Sequence, residues 1–231
     1  MRAIEVITDY IPNAFSSVFY CSGETKIICT ASLQDQVPPW MKNEEQGWLT
    51  AEYNMLPAST KNRKARSRTK PDSRGTEIER LIGRSLRAAV NLKKIPGYTI
   101  MLDCDVINAD GSTRTCSISG SYICLALLIK RALGKGLFKQ NPHAAQIAAV
   151  SIGKTAGGKL ISDLDYSEDV SAVFDMNFVM NDRGNFIEIQ GTAEHGDFSS
   201  SDFNDALKMA QNEISLIMQK QNEVLKTGHE R

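Results

Sequence analysis

From Ile118 to Leu133 the chain runs ISGSYICLALLIKRAL, apolar almost all round at helical spacing. A helix without a broad polar face must be buried, so this segment demands elements packed against it. Strands are available ahead of it. SSVFYCSGETKIICTASL places a Ser22-Gly23-Glu24 turn between two β-rich runs, which reads as a hairpin. YTIMLDCDVI alternates, with Ile100, Leu102, Cys104 and Val106 on one face. Between them Ile78, Leu81, Ile82, Leu86, Ala89 and Val90 recur at helical spacing, and Pro96-Gly97 ends that element. The second part repeats the grammar. Hairpins are expected around Ala156-Gly157-Gly158 and around Asp182-Arg183-Gly184-Asn185. A helix follows, capped by Ser199, Ser200 or Ser201 and striped by Phe203, Leu207, Ala210, Ile214, Ile217 and Val224. Strands then a helix, twice over, predict an α+β fold: one domain over residues 1–231, made of two βα-type halves (about 1–140 and 141–226) with mixed sheets. The tail, 227–231, is expected to fray.

Charge narrows the partners. The 27 basic residues balance 27 acidic ones, so any grip on a polyanion must come from local clustering. Cys21, Cys29, Cys104, Cys116 and Cys124 are odd in number and lack C-x-x-C spacing, which predicts buried, reduced thiols with neither a disulfide framework nor a zinc site. No apolar run reads as reaching the roughly 18 residues of a membrane span, and the start lacks a signal-peptide core. A soluble cytoplasmic protein with no membrane partner is the expectation.

Three stretches each admit a structural and a chemical reading. ADGSTRTCSISG, at a strand-to-helix junction, is either a turn with a Ser/Thr cap or an anion cradle of free N–H groups, hydroxyls and the Arg114 guanidinium. Residues 61–74 carry Lys61, Arg63, Lys64, Arg66, Arg68, Lys70 and Arg74 against Asp72 alone. That run is either a solvated loop or a field that attracts a polyanion through its phosphates, with little base reading because no aromatics are interleaved. SDLDYSEDVSAVFD holds Asp163, Asp165, Glu168, Asp169 and Asp175. It is either a polar connector or a source of oxygen ligands for Mg²⁺, with Asp169 and Asp175 flanking a connector and Asp175 opening a strand. GKT at Gly153-Lys154-Thr155 is no P-loop: Ala148 stands where the motif needs glycine, and a hairpin follows where a helix is required. His143, His195 and His229 are scattered and support no histidine-based nucleophilic mechanism.

Taken together, GWLTAEYNMLPAST, RGTEIERLIGRSLRAAV, LDCDVINADGSTRTCSISG and DMNFVMNDRGNFIEIQGTAE resemble the bacterial ribonuclease PH family, phosphate-dependent exoribonucleases that trim tRNA 3′ ends. The likeness runs from about Arg2 to the last helix, in family order. It implies sheets packed around central helices, a homohexamer arranged as a trimer of dimers, and tRNA precursors and other RNA 3′ ends as substrates. The family's phosphate site matches Arg74 with Ser112, Thr113 and Arg114. Its acidic pair matches Asp169 and Asp175, for catalysis and for Mg²⁺. Arg63 and Arg66 resemble the basic residues that engage tRNA. Three departures from the resemblance stand out: Ser112 where the family usually has Gly, EDV in place of EDS after Asp169, and a start about a dozen residues late, without the family's basic N-terminal segment.

The resemblance implies phosphorolysis. Inorganic phosphate attacks the last phosphodiester, a nucleoside diphosphate departs, and Asp175 is the choice for protonating the leaving 3′-oxygen. The alternative is a catalytically inactive RNA-binding ring subunit; a hydrolytic metal nuclease is a third reading.

Overall fold

Period-two alternation builds the first sheet. Its strands are β1 (Ile4–Thr8), β2 (Ser16–Ser22), β3 (Thr25–Gln34), β4 (Trp48–Met55) and β5 (Thr99–Asn108), in the order β1-β2-β3-β5-β4. In this computed structural model, residues 1–66, 72–193 and 196–227 are described. Ile100, Leu102, Cys104 and Val106 are all buried, as their spacing predicts. Neighbours pair antiparallel except β4 and β5, which run parallel because helix α1 (Ser73–Arg87) carries the chain back between them. The first sheet is therefore mixed. The second, β7-β6-β8-β9, is antiparallel throughout; its strands are β6 (Ile147–Lys154), β7 (Leu160–Ser162), β8 (Phe174–Asn181) and β9 (Phe186–Ala193). All three expected hairpins form.

The apolar helix starts earlier than its apolar run. α2 spans Thr113–Gly134, so Thr113 and Arg114 sit in its first turn. One face packs on β2, β3 and β5 and another on β6, which puts α2 between the sheets. Packing is tight at Gly120, where an added Cβ would meet Cys29 Sγ at 3.0 Å and Tyr20 Cβ at 3.1 Å. By length and composition α2 could cross a bilayer, against the expectation that no segment would; most of it is buried between the sheets. The short α3 (Tyr166–Ser171) precedes β8, and α4 (Ser200–Thr227) covers the far face of the second sheet. There Phe174, Met176 and Phe178 of β8 meet Ala206, Ala210, Ile214 and Ile217 of α4. Buried Gln221 of α4 donates to the carbonyls of Ser119 and Ile147, tying α4, α2 and β6 together.

Smaller expectations shift. Ser199 is the residue that caps α4: its hydroxyl accepts from the Asp202 amide at 3.1 Å. Thr227, assigned to the frayed tail, closes α4 and donates to Glu223 O at 3.0 Å. α1 stops at Arg87, well before Pro96-Gly97, and a 3₁₀ turn at Leu92–Lys94 intervenes. All five cysteines are buried and unbridged. Arg68, Lys70, His195, His229 and residues 228–231 lie outside the described residues.

Candidate active site

The parallel pair points its carboxyl ends at one place. Met55 closes β4 and Ala109 follows β5, and both line an open cleft of ≈ 790 Å³. Such strand ends are where mixed α/β sheets commonly place ligands. Both helices that follow these strands start there, bringing Asp72 and Arg74 of α1 and Gly111, Ser112, Thr113 and Arg114 of α2 to the cleft.

The two helix starts differ. Asp72 caps α1, its carboxylate accepting from the Arg74 amide at 3.2 Å and from Lys64 Nζ at 2.5 Å. The Lys64 hydrogen bond holds the Asp72 pKa below its ordinary value. An anion already occupies that end. At α2 no side chain caps the helix, and the first intrahelical bond is Cys116 N to Ser112 O at 3.0 Å. The amides ahead of it have no partner within the helix, and the aligned peptide dipoles favour negative charge there. Of the structural reading of ADGSTRTCSISG the turn forms but the cap does not: Ser112 stands at the cap position, and its hydroxyl points elsewhere.

The backbone explains where. Gly111 has φ +75°, and a Cβ there would meet Leu164 O at 2.1 Å. Ser112 is also left-handed, with φ 50° and ψ 23°. Its hydroxyl donates to Leu164 O at 2.9 Å and lies 2.7 Å from the Ser151 hydroxyl, which accepts from the Leu164 amide at 3.2 Å. With one proton per hydroxyl, these bonds close a ring in which Ser151 donates to Ser112. Arg2 reinforces the joint, pairing with both Asp163 oxygens at 3.0 and 2.8 Å while donating to Asp110 O.

Arg114 is half-buried, paired with Glu77 at 2.8 Å and donating to Gln190 Oε1 at 3.2 Å. Glu77 lies one turn beyond Arg74 on α1, so one helix carries one cation and aims the other. Thr113 accepts a hydrogen bond from the Tyr53 hydroxyl at 3.0 Å. Burial raises the Tyr53 pKa, with Arg74 and Arg114 opposing, so the phenol remains a donor.

The cleft's other wall is the second sheet. Alternation on β8 sends Phe174, Met176 and Phe178 towards α4 and leaves Asp175 and Asn177 on the opposite face. In register Asp175 pairs with Thr192 and Asn177 with Gln190 and Ser151, and all five residues line the cleft. Asn177 donates to Asp175 Oδ2 at 3.3 Å. α3 adds Tyr166, Asp169 and Val170.

The acidic cluster divides. Asp163 is buried against Arg2 and Ser22, and Asp165 forms a capping box with Glu168. Those three are structural; Asp169 and Asp175 alone of the five reach the cleft.

Comparison with known proteins assigns the family. Residues 1–131 match the 3′ exoribonuclease family, domain 1, and residues 145–213 match domain 2. The chain belongs to the 3′ exoribonuclease family. Ribonuclease PH of Bacillus pumilus is 45% identical over 226 residues, covering 97% of this chain and 93% of the relative. That of Bacillus subtilis is 44% identical over 227 residues, with the same coverage. Among solved structures, rice (Oryza sativa) Rrp46 superposes with a TM-score of 0.78 at 17% identity, over 97% of this chain and 95% of its own. The Archaeoglobus fulgidus exosome with RNA bound to the active site gives 0.77 at 17% identity, covering 95% and 88%. At that identity the two structures speak for the fold.

Six of the residues that the sequence resemblance singles out line this one cleft: Arg74, Ser112, Thr113, Arg114, Asp169 and Asp175. Arg63 and Arg66 do not line the cleft; both are exposed on the segment leading to α1, whose Asn62 and Lys64 do line it. Sequence reasoning misses Glu77, Asn177, Gln190, Tyr166 and Ser151. Helical spacing from Arg74 to Glu77 and strand spacing from Asp175 to Asn177 carry a signal for two of them. Ser151 has none, since its role exists only through tertiary contacts with Ser112 and Leu164.

Proposed function

We propose that the chain is a phosphate-dependent 3′→5′ exoribonuclease that trims the 3′ ends of tRNA precursors and releases nucleoside diphosphates. One observation carries the reading: two arginines, an uncapped helix start and two aspartates share one cleft. Both halves of the chain contribute to it, which supports a single functional unit.

Inorganic phosphate docks on Arg74, Arg114 and the free amides at the α2 start. Fixed positive charge offsets its repulsion from the RNA phosphodiester and stabilises the charge that develops in flight. A phosphate oxygen attacks the terminal phosphorus, and the bond from that phosphorus to the penultimate 3′-oxygen breaks. The leaving nucleotide keeps the new phosphate as a diphosphate. The proton lost by the attacking hydrogenphosphate ends on the 3′-oxygen, and Asp175 is our choice to relay it.

The donor set fits Mg²⁺. Asp169 and Asp175 offer hard oxygen ligands, and no group of three His, Cys, Asp or Glu side chains converges among the described residues. Mg²⁺ is held in this way, by one or two carboxylates with substrate phosphates and water completing its shell. When bound there, the ion would neutralise charge growing on the bridging oxygens.

The assembly we propose is a homohexamer, a trimer of dimers. Exposed Ile7, Tyr10, Trp40 and Leu216, all outside the cleft, support apolar contacts between copies. Buried, unbridged thiols suit a reducing, cytoplasmic setting.

RNA shortening assayed with and without inorganic phosphate tests the reading. Shortening that requires phosphate and yields nucleoside diphosphates supports it. Monophosphates released without phosphate would assign a hydrolytic nuclease, and RNA binding without shortening an inactive ring subunit.

A further inference from the structure

α3 is held at its start. No residue of it is buried, and the Asp165–Glu168 capping box fixes its start. Yet it presents Tyr166 and Val170, each 58% exposed, on the same turn-to-turn face as Asp169, and all three line the cleft. More than half of each of these side chains is left to solvent. Among the described residues lining the cleft, Tyr166 is the sole aromatic, in a setting otherwise mostly polar and charged. Its amide donates to Asp110 Oδ1 at 3.3 Å, which ties the start of α3 to the loop that precedes Ser112.

A nucleotide presents phosphate, sugar and base. The cations and the α2 start suit the phosphate, and the polar row on β8 and β9 suits the sugar. The flat apolar faces of the base still need a partner, and one ring beside the carboxylates offers it. We infer that Tyr166, flanked by Val170, is the stacking platform for the base of the RNA's 3′-terminal nucleotide. This rests on the proposed function and names where that site takes the base. Every base has a π-face, so such a platform accepts purines and pyrimidines alike, as removal of successive residues requires.

The test uses the full-length protein and two short unstructured RNA oligonucleotides, one ending in adenosine and one in an abasic ribose. Binding is read by fluorescence anisotropy without phosphate, so it does not depend on turnover. The wild type should prefer the adenosine end roughly 10-fold, the scale of one stacked base. Tyr166→Ala should bind the adenosine end about 10-fold more weakly and lose the preference, while Tyr166→Phe keeps both. Where phosphorolysis is measurable, the oligonucleotide KM should follow the same order. Equal preference in Tyr166→Ala and wild type overturns the inference even if phosphorolysis is intact. A Tyr166→Ala chain that changes assembly state by light scattering also overturns it, assigning the face to a subunit contact. Failure of the wild type to shorten RNA with phosphate strikes the proposed function, and the binding arm still reads the platform.

Discussion

The hydroxyls of Ser112 and Ser151 lie 2.7 Å apart, joining the start of α2 to the second sheet. Ser112 holds a left-handed backbone that costs an L-residue about 1–2 kcal/mol. Its two hydrogen bonds return about 0.5–1.5 kcal/mol each, so the terms nearly cancel. Ser112→Gly should therefore leave stability close to wild type. Ser151→Ala strips the acceptor from the buried Leu164 amide and should cost about 1–3 kcal/mol. Urea unfolding of both variants checks this, and a Ser112→Gly loss larger than that of Ser151→Ala contradicts it.

Arg114 should act on phosphate. Its pairing with Glu77 and Gln190 fixes the guanidinium at the α2 start. Arg114→Ala should raise the phosphate KM by about 10-fold or more or abolish turnover, given that a charge-assisted contact is worth roughly 1.5–3 kcal/mol. RNA binding should be largely kept. Normal phosphate saturation in that variant removes the assignment.

Asp175 should act on the rate. Asp175→Asn keeps shape and the hydrogen bond from Asn177 but removes the charge. Loss of transition-state electrostatics predicts a kcat drop of roughly 100-fold or more with circular dichroism and size unchanged. Wild-type turnover would show that the carboxylate is idle.

What the sequence made legible follows from how local each cause is. Alternation in β5 and β8 and the apolar run of α2 are local, and those elements formed. The apolar run begins five residues after the start of α2 because Thr113, Thr115 and Ser117 are polar and Arg114 is charged; the helicity of this turn goes with burial of Thr113, Thr115, Cys116 and Ser117, not with an apolar stripe. The acidic cluster could not be divided by spacing: Asp163 is taken by Arg2, 161 residues away, which no local pattern reports. That Arg74 and Arg114 share one cleft is legible only through the long motifs, not through local spacing. Glu77, which aims Arg114, was hidden because a glutamate in a charged helix reads as solvated surface.

Acid should loosen the start of α4. The Asp202 pKa is lowered from 3.8 to about 2, first by the hydrogen bond from Lys154 and then by Ser199. A depressed carboxylate adds stability that is complete above its unfolded value and is lost as pH falls through its folded one. The contribution should thus hold above pH 3.8 and fade towards pH 2. Asp202→Asn should lower the thermal midpoint at neutral pH and shrink its difference from wild type across that window. A difference independent of pH would assign the effect to capping geometry alone.

Arg63 and Arg66 should grip the tRNA body away from the reacting bond. Within the basic segment Lys64 is taken by Asp72, whereas Arg63 and Arg66 are exposed. The segment leads directly to Arg74, so a duplex lying on it would feed a 3′ end towards the cleft. Each phosphate contact releases counterions, and losing one should flatten the logarithmic salt slope by about 1. The double variant Arg63→Ala, Arg66→Ala should therefore bind tRNA more weakly, with a slope smaller by about 2. Trimming of a short unstructured oligonucleotide needs only the cleft and should suffer much less. Light scattering comes first, because arginines at a subunit contact would break the assembly instead. If the variant keeps its size and binds tRNA with unchanged affinity and slope, the segment is a solvated loop, and selection of folded substrates must come from elsewhere on the chain.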